Sequence, residues 1–404
     1  MIDVLRDTHF RLVEDVSRYT THRFLFDEFD LGPRLVGLVG PRGVGKTTLL
    51  LQLLREKLDS PRDAFYVSAD HLYFSKTGLF DFVRDVYETD GVCRFFIDEV
   101  HKYRGWAQEL KNIYDSFPDV RVVFSGSSSL NLVRGTYDLS RRALLYRLPG
   151  LSFREYLGFR LGTKYAPLSL SDILSGHDSL REIAGIRGLR GHFRDYCTYG
   201  YYPFAIEEPE HFFSRIQVVI DKTIYEDIAN FYNLKTENLH YFKKLLYYLA
   251  TIPPGELNVH SLGRNLGVDD KTVQRYLQMV METGLCRGLL SAKKGGSMLR
   301  KPEKLFLDNP SLHHAVCHEL GQAPDVGTVR ELFFLNSAES AGLSVAYSDD
   351  IGDFRIDDTV FEVGGRGKDR RQIKSAEGNG YIVKDDVLTG AGRTIPLYHF
   401  GFLY

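Results

Sequence analysis

The sequence predicts an α/β fold built on a doubly wound parallel sheet, and three observations carry that prediction. An apolar run, LVGLV (35–39), passes into a glycine-rich loop, GPRGVGKTT (40–48), and then into an apolar helix. A second apolar run, CRFFIDE (93–99), ends in two acids. Between and after them, short apolar runs alternate with segments of helical spacing, the rhythm of a parallel sheet covered by helices.

The elements follow in order. DAFYVSAD (63–70) reads as a strand, and GLFDFVRDVYE (78–88) has apolar residues at helical spacing. WAQELKNIYDSF (106–117) is a helix with Trp106, Leu110, Ile113 and Tyr114 on one face. RVVFSGSSS (121–129) is a strand ending in hydroxyls, and ALLYRLPG (143–150) completes a set of five. Ligands bind at the carboxyl ends of such strands. Lys46, Asp98, Glu99, Ser125 and Ser127 all fall there.

Gly40-x4-Gly45-Lys46-Thr47 between a strand and a helix is a P-loop. Its residues Gly40, Pro41, Arg42, Gly43, Val44, Gly45, Lys46, Thr47 and Thr48 are the candidate nucleotide contacts. Glycines let backbone N–H groups curl around phosphate, and the helix N-terminus adds partial positive charge. Lys46 reaches the β- and γ-phosphates, and the Thr47 hydroxyl ligates Mg²⁺. Asp98 is the second candidate Mg²⁺ residue, and Glu99 the base that activates an attacking water. ATP and Mg²⁺ are therefore the expected cofactors, although the loop reads phosphate and leaves GTP open.

Composition narrows the class. With 43% hydrophobic and 26% charged residues, 404 residues support several cores, and a net charge of −2 offers no global field for nucleic acid. Cys93, Cys197, Cys286 and Cys317 lack metal-ligand or redox spacing, which fits structural thiols in a reducing cytoplasm. The first residues, MIDVLRDTHF, form no apolar signal region, and no run approaches the ~18 apolar residues of a membrane span.

Beyond residue 150 the chain reads as further domains: a helical lid or linker over 151–232, a winged helix-turn-helix over 233–310 and a small α/β region over 311–404. In the middle section, NVHSLGRNLG is a short helix with Leu262 and Leu266 inward. KTVQRYLQMVMETG follows as a second helix, capped by Asp269 or Asp270, with Val273, Tyr276, Leu277 and Val280 inward and Gly284 as its stop. Two strands around a basic turn complete a winged helix-turn-helix order. Lys271, Gln274 and Arg275, with Lys293 and Lys294 of the turn, are candidate contacts to double-stranded DNA. The same module also serves as a protein-docking unit. YCTYGYYPF (196–204) reads as a packed aromatic core or a partner surface.

The chain resembles the AAA-type ATPases of bacteria and archaea that carry a helix-turn-helix region and a C-terminal nuclease-like domain. The stretches that carry the resemblance are GPRGVGKTTLL, FFIDEVHKYRGW, VVFSGSSS, LSRRALLYRLPGLSFREYL and DYCTYGYYPF. It implies a polar sensor at Ser127 or Ser125 and a basic residue beside the nucleotide at Arg141 or Arg142. An arginine acting in trans would require a homo-oligomer. For residues 311–404 it implies the restriction-endonuclease-like, or PD-(D/E)XK, fold, with Glu331, Asp353 and Glu362 at the acidic positions.

The lysine that normally stands two residues after such a glutamate is replaced by Gly364. Lys368, in a glycine-flanked loop, and Lys374, on the helix expected over 368–380, are the nearby alternatives. The simpler expectation is a degenerate module that keeps the shape and has lost the cut. The functional expectation is an ATP-binding and ATP-hydrolysing switch controlling a winged-helix and nuclease-like module that docks DNA or a protein partner. An ATP-gated, metal-dependent DNA nuclease is disfavoured by Gly364, and a non-hydrolysing ATP-binding adaptor by Glu99.

Overall fold

Strand β1 (Leu35–Val39) is buried at every residue, as a strand must be when neighbours flank it and helices cover both faces. The computed structural model describes residues 2–126, 139, 141–252, 258–290, 302–348, 351–368 and 379–404. The chain divides into two compact units, Met1–Gly150 and Leu151–Tyr404.

In the first unit, helix α1 (Ile2–Asp15) precedes β1, and α2 (Lys46–Glu56) follows it directly after the glycine loop. Next come β2 (Ala64–Ser68), α3 (Leu79–Asp90), β3 (Arg94–Asp98), α4 (Trp106–Ser116), β4 (Arg121–Gly126) and β5 (Leu144–Arg147). The sheet order is β2-β3-β4-β1-β5, with every neighbouring pair parallel. Leu110 and Ile113 of α4 and Phe82, Val83 and Val86 of α3 join Phe95 and Ile97 of β3 in one core. The five expected strands are present: β1 spans its whole apolar run, β2, β3 and β5 are shorter than theirs, and the end of the run that holds β4 lies outside the described residues.

The second unit opens with α5 (Phe153–Leu161), set by a Ser152–Glu155 capping box. Phe153, Tyr156, Tyr196, Phe333, Phe361 and Phe400 belong to a single hydrophobic core. Residues of the aromatic stretch 196–204 are thus interior: Tyr196, Tyr201 and Tyr202 are buried. Helix α6 (His240–Thr251) leads to α7 (Val259–Leu266) and α8 (Asp270–Glu282), then to the antiparallel pair β6 (Cys286–Leu289) and β7 (Lys304–Leu307). Asp269, not Asp270, caps α8, accepting from the backbone N–H groups of Lys271 and Thr272. Val273, Tyr276, Leu277 and Val280 face inward, and so does Met279. Leu262 and Leu266 are buried as the spacing requires.

Helices α9 (Pro310–Glu319) and α10 (Val326–Ser340) precede a second sheet. Its strands are β8 (Val345–Tyr347), β9 (Phe354–Ile356), β10 (Thr359–Gly364), β11 (Gly380–Lys384) and β12 (Thr394–Pro396). They lie in order β12-β11-β10-β9-β8, antiparallel from β8 to β10 and parallel from β10 to β12. The final apolar run is not one strand. After Pro396 it turns into a 3₁₀ segment, Leu397–Phe402, all of it buried. Alternation along a strand would have sent half of those side chains outward. The helix expected around Lys374 falls outside the described residues.

Candidate nucleotide-binding site

The loop after β1 is shaped for close backbone approach. A Cβ on Gly40 would lie 2.1 Å from the Leu148 carbonyl oxygen, so only glycine fits there. Gly43 and Gly45 hold φ of 85° and 92°, the left-handed region. Helix α2 therefore starts at Lys46 with its first N–H groups turned towards the loop. The Lys46 ammonium, buried, donates to the carbonyls of Gly40 (3.0 Å) and Pro41 (2.9 Å). It spans the loop from inside.

At the end of β3, Asp98 is buried and collects three hydroxyl donors. Thr47 Oγ1 donates to Oδ2 at 2.6 Å, Tyr66 OH to Oδ2 at 2.9 Å, and Ser125 Oγ to Oδ1. Burial, reinforced by the Asp98 charge, pushes the Tyr66 phenol far above its ordinary range, so it remains a donor. Glu99 follows at φ 53°, an uncommon conformation for a side-chain-bearing residue. Its N–H points at Asp98 Oδ1 (3.1 Å) and Ser125 Oγ (3.2 Å), and its carboxylate lies 3.4 Å from His101 Nε2. Thr47 and Asp98 stand one hydrogen bond apart at the carboxyl end of the sheet, and a hydroxyl and a carboxylate are oxygen ligands of the kind that could hold Mg²⁺.

Two contributors were not read from the sequence. Tyr66 is one. Arg23 is the other: its buried guanidinium donates to the carbonyls of Val44 (2.5 Å), Pro149 (2.8 Å) and Gly150 (2.9 Å). Of the two sensor candidates, Ser125 reaches Asp98, whereas Ser127 lies outside the described residues. Arg142 pairs with Asp115 of α4 at 3.2 Å and stands over the Tyr114 ring; Arg141 is exposed.

The acids of the second unit form a separate cluster. Asp353, just before β9, accepts from the Val363 N–H at 2.8 Å, which fixes it beside β10. Glu362 on β10 is 1% exposed. Glu331 of α10 sits 3.4 Å from the Lys304 ammonium of β7. Burial, against the pull of Lys304, raises the Glu331 carboxyl to about 7. Lys368 brings its ammonium to 2.5 Å from Glu362 Oε1 as an ion pair. Burial alone would lower that lysine, but Glu362, Asp353 and Glu331 together hold it above the ordinary lysine value. Lys271, Gln274 and Arg275 are exposed on α8, while Lys293 and Lys294 lie outside the described residues.

Residues 32–157 match the family model of an AAA domain, and residues 190–324 match a domain of unknown function. The first match spans the parallel sheet and the glycine loop, so this region has the sequence and the strand order of an AAA-type P-loop domain. Among solved structures, AMPPCP-bound DnaA from Aquifex aeolicus is 18% identical, with 67% of this chain and 86% of that one covered and a TM-score of 0.27. PCH-2 of C. elegans is 17% identical, with 68% of each chain covered and a TM-score of 0.26. No curated protein matches the chain. Among the described residues, no helix is long and apolar enough to cross a membrane.

Proposed function

We propose that the chain is an ATP-binding and ATP-hydrolysing switch whose nucleotide state controls a winged-helix and nuclease-like module that docks DNA or a protein partner. The observation that carries this reading is the Thr47–Asp98 hydrogen bond with Glu99 next in the chain. Thr47 lies in the first turn of the helix after the glycine loop and Asp98 closes β3 with Glu99 next, an order of groups that supports metal-assisted phosphoryl transfer to water.

Mg²⁺, when bound, screens the phosphate oxygens and orients them for attack. The protein supplies the rest. Lys46 exchanges its carbonyl partners for phosphate oxygens. The Glu99 carboxylate takes the proton from the attacking water, and the bond between the γ-phosphorus and the bridging oxygen breaks. Arg142, released from Asp115, is the candidate to meet charge on the γ-phosphate, in cis or across a homo-oligomer. Helices α7 and α8 with the β6–β7 pair serve as the docking module, and α8 offers Lys271, Gln274 and Arg275 on its open face.

The test is phosphate release from Mg²⁺–ATP by the full chain and by Glu99→Gln, each with and without double-stranded DNA. Turnover that vanishes in the variant supports the engine. Stimulation by DNA supports the docking assignment, and indifference to DNA directs the module to a protein partner. No turnover by the wild type under either condition overturns the switch.

A further inference from the structure

We propose that a cavity in the second unit, at the carboxyl end of β11, binds a small amphiphile: a monocarboxylate with an apolar body. The cavity has a volume of about 290 Å³, close to the lower end of the roughly 300–1,000 Å³ of ligand pockets. Three segments build it: the helix Leu189–Asp195 with its continuation to Cys197, the first two turns of α10, and the residues that follow β11 and β12. Strands β10, β11 and β12 run parallel. The crevice beyond the carboxyl ends of parallel strands is where open α/β sheets take ligands.

The lining divides into an apolar floor and a charged rim. Phe193, Cys197, Val329, Phe333, Leu397 and Tyr398 make the floor, and all but the half-buried Val329 are buried. Phe193 and Phe333 meet edge to face with ring centroids 4.7 Å apart, which fixes two of its walls against each other. The Tyr398 hydroxyl donates to the Leu388 carbonyl at 2.5 Å, so this residue adds ring surface and no free donor. Burial pushes the Cys197 thiol well above its ordinary value and keeps it neutral and unreactive. Such a floor suits an alkyl or aryl body and offers a polar one no partner.

The rim carries three guanidiniums, Arg190, Arg194 and Arg330, against two carboxylates, Asp385 and Asp386. Arg330 is engaged: its Nε donates to Asp385 at 2.9 Å, and its far nitrogen stands 3.9 Å from an Asp386 oxygen. Arg190 donates to the Asp386 carbonyl at 3.0 Å. Arg194, one helical turn further on and exposed, makes no side-chain hydrogen bond or ion pair among the described residues. Asp325, which caps α10, is held by the N–H and hydroxyl of Thr328 and does not line the cavity. His314 adds no charge near neutral pH, because burial lowers it to about 4. The lining is therefore one positive charge in excess. The unengaged cation is an arginine, whose planar fork matches the two oxygens of a carboxylate.

The experiment uses the full chain without nucleotide, so that failure of the ATPase reading does not affect it. Octanoate and phenylacetate are titrated into the protein by calorimetry. One-to-one binding of either with a Kd below about 1 mM supports the site, and the tighter of the two tells an alkyl body from an aryl one. Arg194→Gln, at an exposed position, is expected to weaken both acids at least about 10-fold and to leave binding of neutral octanol unchanged. Val329→Trp puts an indole into the cavity and is expected to abolish binding of both acids. Thermal melting of each variant separates a lost site from a lost fold. Failure of both acids to saturate below about 1 mM, or wild-type binding by a folded Val329→Trp, overturns the proposal. Undiminished acid binding by Arg194→Gln, or phenyl phosphate binding more tightly than phenylacetate, overturns the assignment of a monocarboxylate.

Discussion

The Thr47 hydroxyl donates to the Asp98 carboxylate at 2.6 Å, tying the first turn of α2 to the end of β3. The contact joins residues 51 positions apart.

Asp98→Ala is expected to abolish Mg²⁺-dependent phosphate release and also to destabilise the first unit. It leaves the buried Tyr66 and Ser125 hydroxyls without their acceptor. An unsatisfied buried polar group costs about 1–3 kcal/mol. A melting curve of the variant beside Asp98→Asn, which keeps an acceptor, measures that component separately from activity.

Arg23→Ala removes a buried guanidinium from three carbonyls and is expected to weaken nucleotide binding more than the chemical step. The Val44 end of the loop loses its anchor while Lys46, Thr47 and Glu99 remain. Steady-state kinetics should show a raised KM for ATP with a smaller change in kcat, and Tm should fall. Arg23→Lys is expected to restore little, because one ammonium cannot reproduce the guanidinium's spread over Val44, Pro149 and Gly150.

Two buried groups give stability opposite pH dependences. Glu331 titrates near 7 in the fold against 4.5 unfolded, so the folded state holds the proton more tightly. Its contribution is fully present below about pH 4.5 and is lost as pH rises through about 7, a difference of up to about 3 kcal/mol. Melting temperatures of wild type and Glu331→Gln across pH 4–8 should diverge over that window, with the wild type losing more on the alkaline side.

His399 runs the other way. Burial lowers it to about 4 from 6.5, and neither ring nitrogen has a hydrogen-bond partner among the described residues. Its folded-state preference for neutrality is present above pH 6.5 and is lost as pH falls towards 4. His399→Leu should therefore raise acid stability, read as a higher Tm at pH 4.5 than the wild type and a smaller gain at pH 8.

If α8 meets DNA, Lys271→Glu with Arg275→Glu should remove DNA stimulation of phosphate release and leave the unstimulated rate in place. Both side chains are exposed, so the fold does not depend on them. The stimulation in the wild type should fall steeply with salt, as counterion release demands. Loss of stimulation without any salt dependence in the wild type would argue against phosphate contacts.

Much of the nucleotide site was legible because its signals are local. Glycines at fixed offsets, a lysine opening a helix and acids closing an apolar strand occupy a few consecutive positions each. Arg23 was not legible: its partners are backbone carbonyls 21, 126 and 127 positions away, and carbonyls leave no trace in residue type. Tyr66 looked like any strand aromatic until β2 was paired beside β3. Lys368 was visible as a candidate, but spacing alone gave it no preference, since Gly364 breaks the offset at which such a lysine is expected. In the fold its stem lies over Gly364 and its ammonium pairs with Glu362, neither of which residue order reveals. In the terminal run TIPLYHFGFLY, apolar density does not distinguish a strand from the buried 3₁₀ segment that the chain forms there.

Arg23 has a mechanical consequence. One rigid planar cation grips the phosphate loop at Val44 and, with its other nitrogen, the two peptide units with which the first unit ends. Any displacement of Val44 by an entering ligand is transmitted to Pro149 and Gly150 through two bonds of a side chain that does not stretch. The residue works as a tie-rod within the first unit, holding the loop after β1 to that unit's last residues.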